Sequence, residues 1–202
     1  MGNRTRNIVT RVLVAAPLAL AATESGALAG YWTDYVSEES GDYATCAEGY
    51  GAVGFACTGR YCDNVSLLCE AWPFPANAPS WFGYLTGWFS EEHDNTSTWY
   101  STGWYRYDNE NYEVCHNTNP TGGVVTSIGC TGRYCDNISL ECRQPVNEQT
   151  GVKLALTDCA WSGWLSEEQV EVDFGWNRYI TGVECSGSYC DNKRFHVCSI
   201  AF

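Results

Sequence analysis

Short alternations of apolar and polar residues, rather than long amphipathic periods, run through this chain. In NVSLLC, Val65, Leu67 and Cys69 fall on one side of an extended backbone, and in NISLEC, Ile138, Leu140 and Cys142 do the same. The first of these follows the apolar run GAVGFAC at 51–57, and a Gly-containing break separates the two. Two such runs around a turn predict a β-hairpin. Val, Ile, Tyr and Trp are frequent, turn residues recur at short intervals, and no segment holds the 3.6-residue period of a long helix. The pattern therefore predicts an all-β fold.

The break itself is repeated. CTGRYCDN occupies 57–64 and again 130–137, and returns as CSGSYCDN at 185–192. Upstream of each stands a second shared phrase: YWTDYVSEE at 31–39, YLTGWFSEE at 84–92 and AWSGWLSEE at 160–168. These phrases define three repeats, 30–69, 81–142 and 159–198, the second enlarged by an insertion at 93–123. Connectors starting at Glu70 and Arg143 contain Pro73, Pro75, Pro79 and Pro145, which cannot continue a ladder and so mark boundaries. A unit of about 40 residues is too small to bury a private core. Three of them are expected to share one, as a single pseudo-three-fold domain over 30–202. A β-prism is the first expectation and a trefoil-like barrel the second. Aromatics that recur at one repeat position, Trp32 and Tyr35, Trp88, Trp161 and Trp164, are expected in that core.

Compartment follows from the first residues and the cysteines. Arg4, Arg6 and Arg11 precede the apolar run 12–22, and Ala27-Leu28-Ala29 follows it. That order is a secretory signal peptide cleaved after Ala29. The apolar run is too short to span a bilayer, so a secreted protein without membrane insertion is expected. Removing 1–29 leaves eight basic against 23 acidic side chains, a net charge of −15, which argues against nucleic acid or anionic lipid as partner. All twelve cysteines lie beyond residue 29, and export favours disulfides. The short spacing is Cys-x4-Cys and His93, His116 and His196 are isolated, which is not a zinc pattern; no metal ligand is assigned.

The repeats suggest the pairing. Cys57 with Cys62, Cys130 with Cys135 and Cys185 with Cys190 would staple the hairpin tips, with Gly59 free to take a left-handed turn. Cys46 with Cys69 and Cys115 with Cys142 would clamp the hairpin bases. The third repeat departs: Phe174 aligns with Cys46, and Cys198 stands one position further along than Cys69 does. If the apolar period is kept, Phe195 and Val197 match Val65 and Leu67, and Cys198 turns to the opposite face. Cys159 and Cys198, both displaced, then pair.

Aromatic-rich repeat starts, a Gly-rich middle and a close of the form D-N-[VI]-S-L-x-C resemble the repeat pattern of the vitelline membrane outer layer protein I family. The resemblance implies a three-fold β-prism and an association with oligosaccharides, and it carries no catalytic residue across. The C-x-G-x-Y-C insert and the S-E-E element are not part of that pattern.

Ligand chemistry is available in two places. Tyr61, Asp63 and Asn64, with Tyr134, Asp136 and Asn137 and with Tyr189, Asp191 and Asn192, display phenol, carboxylate and amide groups three times, suited to sugar hydroxyls or to calcium. The competing reading makes the Asp-Asn pairs Asx turns that launch the return strand. The insertion carries Trp99 and Trp104 among Tyr, Asn, Ser and Thr, and flat aromatics beside hydroxyls and amides suit sugar rings or a protein surface. Glu38/Glu39, Glu91/Glu92 and Glu167/Glu168 are adjacent carboxylates, which on a strand point to opposite faces and cannot flank one glycosidic bond. No catalytic motif occurs. The sequence thus favours a lectin-like carbohydrate-binding module without an obligate cofactor, ahead of a structural or envelope protein that contacts other extracellular proteins, with an enzyme acting on oligosaccharides third.

Overall fold

The computed structural model describes residues 30–73, 83–86, 88–90, 112–115, 122–147, 150–166 and 171–201. The expected signal peptide and most of the insertion, Trp99 and Trp104 included, lie outside the described residues. The fold is all-β. Three antiparallel hairpins form its frame: β4 (Tyr50–Thr58) with β5 (Asn64–Ala71), β8 (Val124–Thr131) with β9 (Asn137–Arg143), and β12 (Tyr179–Ser186) with β13 (Asn192–Ile200). Each turns through a tight segment, Arg60–Cys62, Arg133–Cys135 or Ser188–Cys190. Each hairpin is the centre of an open sheet.

The opening phrase of each repeat lines the second strand of its own hairpin. β1 (Tyr31–Trp32) and β2 (Val36–Ser37) pair with β5, β6 (Gly83–Leu85) pairs with β9, and β10 (Leu156–Trp161) pairs with β13. A hydroxyl bridges the point where each short ladder breaks. Thr33 Oγ1 accepts the Leu67 N–H at 3.0 Å, Thr86 Oγ1 the Leu140 N–H at 2.8 Å, and Ser162 Oγ the Phe195 N–H at 2.9 Å. Pairing resumes three residues on, at Val36, Phe89 and Leu165, whose side chains pack into the core. The residue just before each therefore faces outward. That corrects the expected place of three aromatics: Tyr35, Trp88 and Trp164 are exposed, not core, while Trp32 and Trp161 are half-buried.

The far edge of each sheet comes from another repeat. β3 (Tyr43–Thr45) of the first pairs with β8 of the second, β7 (Tyr112–Val114) of the second with β12 of the third, and β11 (Glu171–Asp173) of the third with β4 of the first. Six disulfides join Cys46–Cys69, Cys57–Cys62, Cys115–Cys142, Cys130–Cys135, Cys159–Cys198 and Cys185–Cys190. The outer two do not clamp the bases of their own hairpins. Cys46 donates its N–H to Thr126 O and Cys115 donates to Thr181 O, at 2.8 and 2.6 Å, so each follows its strand onto the neighbouring hairpin. The bonds Cys46–Cys69 and Cys115–Cys142 consequently cross-link adjacent sheets. Phe174, whose N–H reaches Val53 O at 2.9 Å, occupies the corresponding place in the third repeat and packs its ring 5.8 Å from Phe195.

One cluster of buried residues draws on all three hairpins, among them Phe55, Leu67, Ile128, Leu140, Val183 and Phe195, with Phe55 and Phe195 rings 4.9 Å apart. Burying each such side chain contributes about 1.5–3 kcal/mol. Register corrects the alignment of the last strand. Cys57 opposes Val65, Cys130 opposes Ile138 and Cys185 opposes Lys193, so Lys193 holds the place of Val65, Phe195 that of Leu67, and Val197 that of Cys69. Lys193 is buried there, and its ammonium donates a hydrogen bond to Cys190 O at 2.5 Å, which offsets part of the cost of burying the charge. Among the described residues no helix is long and apolar enough to cross a membrane.

Candidate functional site: hairpin tips and exposed aromatics

The three repeated octets meet. Tyr61, Tyr134 and Tyr189 form a ring cluster with centroids 5.0, 5.3 and 5.5 Å apart. The Arg60 guanidinium lies over Tyr61 and Tyr134, at 4.9 and 5.8 Å, and that of Arg133 over Tyr134 and Tyr189, at 5.0 and 5.6 Å. Ser188 stands where a third arginine would close the circuit. Each tyrosine and the cysteine after it adopt left-handed backbone, with φ of 58° and 62° at Tyr61 and Cys62 and similar values at the other tips. Bulky side chains rarely adopt this region, at a cost of about 1–3 kcal/mol each, so the surroundings must enforce it.

The Asp-Asn pairs supply part of that enforcement. Asp63 accepts a hydrogen bond from the Asn64 side-chain amide at 2.5 Å, Asp136 from Asn137 at 2.6 Å and Asp191 from Asn192 at 2.7 Å. Each carboxylate sits against the glycine of its own turn: a Cβ at Gly59, Gly132 or Gly187 would collide with the Asp oxygen and the Asn amide. Those glycines also have φ near +80°, so nothing larger fits the turn. Cys135 Sγ lies 3.1 Å from Asp63 O, tying one tip to the next. The candidate residues of the tips are thus brought together, but their polar groups are turned on one another.

The exposed aromatics have a different setting. Tyr35 is 50 % exposed, Trp88 37 % and Trp164 43 %, each just before a residue that pairs with the second strand of a different hairpin. Arg194 lies between two of the indoles of the third sheet, 5.1 Å from the Trp161 ring and 4.8 Å from that of Trp164, and is held by Glu184 at 2.6 Å. On the second sheet Trp88 leans on Tyr43, with centroids 6.1 Å apart and planes at 44°. Recurrence of an aromatic at one repeat position does not by itself put it in the core. The hydroxyl two residues upstream and the apolar residue one place downstream, T-D-Y-V, T-G-W-F and S-G-W-L, hold the signal that the side chain faces out.

The acidic pairs sit otherwise than on strands where they are described: Glu38 and Glu39 belong to a turn after β2, in which the Ser40 N–H reaches Ser37 O at 3.1 Å. Glu91/Glu92 and Glu167/Glu168 lie outside the described residues. Cys159, His196 and Cys198 bring their ligand atoms within 4.8 Å of one another, but the two sulfurs are bonded together and offer no thiolate. Comparison of the chain with protein-family models, with curated proteins and with solved structures returned no match.

Proposed function

We propose that this is a secreted, disulfide-stapled carbohydrate-binding protein that meets its ligand through aromatic platforms on its sheet edges, and that its three repeats make it multivalent. The observation that carries this reading is the exposure of Tyr35, Trp88 and Trp164, each one residue from a core side chain. A half-exposed indole or phenol held beside a residue packed into the core presents an apolar face with little entropy left to lose, which suits the apolar face of a sugar ring. The partly exposed Arg194 guanidinium beside Trp161 and Trp164 would orient the sugar's hydroxyls. The resemblance to the vitelline membrane outer layer family supports the same ligand class. It also supports a three-sided β-prism, which three open sheets suit better than a closed trefoil barrel.

In this proposal the tyrosine cluster and the Asp-Asn pairs serve the fold, since their polar groups already bond within each tip. A polysaccharide array run with calcium and again with chelator tests it. Retention on polysaccharide in both buffers is expected. Retention only with calcium would return the site to Asp63, Asp136 and Asp191, and no retention in either buffer would favour a structural or envelope protein.

A further inference from the structure

Eleven of the twelve cysteines are buried and Cys159 is exposed. Its bond to Cys198 differs in setting from the other five. Val197 holds the register place of Cys69, so Cys198, one residue on, turns to the face opposite the shared core. Beside the Cys198 sulfur stand Thr181 Oγ1 at 3.4 Å and His196 Nδ1 at 3.9 Å, which contact each other at 2.7 Å. An exposed cysteine joined to a sulfur flanked by a hydroxyl and an imidazole has the two features that favour thiol exchange: a residue open to solvent where the thiolate attacks, and stabilisation of the sulfur that leaves.

We infer that Cys159–Cys198 is the thiol-exchange site of this protein and that Cys159 is the residue that carries a covalently attached thiol. An external thiolate attacks Cys159 Sγ, forming a new S–S bond as the Cys159–Cys198 bond breaks. Cys198 departs with the electron pair as a thiolate, to which the Thr181 hydroxyl donates while a protonated His196 donates its Nδ1–H to Thr181 Oγ1. A second external thiol can then reduce the mixed disulfide, leaving the Cys159 and Cys198 thiols and an external disulfide. The strand survives the opening. β10 remains paired to β13 at Leu156, Thr157, Ala160 and Trp161, and Arg178 still donates to Asp158 O at 2.9 Å.

The native protein, incubated with glutathione, quenched by alkylation and mapped as peptides, should carry glutathione on Cys159 and the alkyl label on Cys198, with the other ten cysteines still paired. His196→Ala and His196→Gln, each shown to melt as wild type, should slow adduct formation at mildly acid pH by about threefold or more, as expected when the hydroxyl that donates to the leaving thiolate loses its own donor. First adduct on a tip cysteine, simultaneous opening of all six bonds, or a bond that resists glutathione until the protein unfolds would each overturn the assignment. So would unchanged rates in both folded His196 variants. Should neither variant fold, the peptide map of the wild type still decides between Cys159 and the buried sulfurs.

Discussion

At the scale of single residues, the side chains repeated most faithfully are the ones most committed to the fold. Asp136 bonds to Asn137, rests on Gly132 and helps hold Tyr134 in left-handed backbone, so its removal should be felt as stability. Asp136→Ala should lose about 1 kcal/mol, as for a lost side-chain cap, seen as a fall in Tm of about 2–4 °C, with retention on polysaccharide unchanged. Glu70 gives the opposite sign near neutral pH. Burial holds its carboxyl above the ordinary range, the Asn177 amide offsets part of that, Asp173 adds to it, and Oε2 is buried without a hydrogen bond. The folded state therefore binds this proton more tightly than the unfolded chain does. The stability involved is present below the unfolded carboxyl pKa and is lost as pH rises through the raised folded value. Glu70→Gln should match wild type in Tm near about pH 3.5 and exceed it above about pH 6; equal melting at both would show that the carboxylate is solvated.

At the scale of elements, the exchange of strands between repeats explains where the outer disulfides go. Because β3 and β7 pair with neighbouring hairpins, the bonds that follow them tie one sheet to the next. The double variant Cys46→Ala/Cys69→Ala should cost about 2–4 kcal/mol, measured by denaturant melts against wild type, since it frees a long loop in the unfolded chain. Much of the element level was legible in the sequence. The hairpins showed in the alternation at Val65, Leu67 and Cys69, and the cysteine pairs in repeated spacing and in the displacement of Cys159 and Cys198. What a linear pattern does not carry is the partner of a three-residue strand. Nothing within 43–45 or 171–173 says that it will leave its own hairpin. Nor does apolar periodicity foresee Lys193 in a core position, because the compensation comes from a backbone carbonyl three residues upstream, Cys190 O, which the turn between the strands aims at the ammonium. Tyr35, Trp88 and Trp164 were misplaced for a related reason: recurrence at one position records a shared environment and does not say whether that environment is core or surface.

At the scale of the whole molecule, the three hairpins bury one cluster of side chains and lend one another edge strands, so no repeat should stand alone. A chain ending at Arg143 removes β12, the partner of β7, and β11, the partner of β4, and uncovers Phe55 by taking away Phe195. It should show no cooperative melt and poor dispersion in an NMR spectrum, as expected of open strand edges and an exposed apolar face. The same arrangement sets the exposed side chains of Tyr35, Trp88 and Trp164 around one shared core, and the proposed function rests on them. The direct measurement is retention on a dense polysaccharide of single, double and triple alanine variants at Tyr35, Trp88 and Trp164, each checked for a wild-type melt, beside the triple variant at Asp63, Asp136 and Asp191. Linked sites act through effective concentration, so each lost platform should weaken retention by more than its share, and the triple aromatic variant should wash through. The account predicts that outcome together with retention by whatever fraction of the Asp variant is folded. Full retention by a folded triple aromatic variant would contradict it.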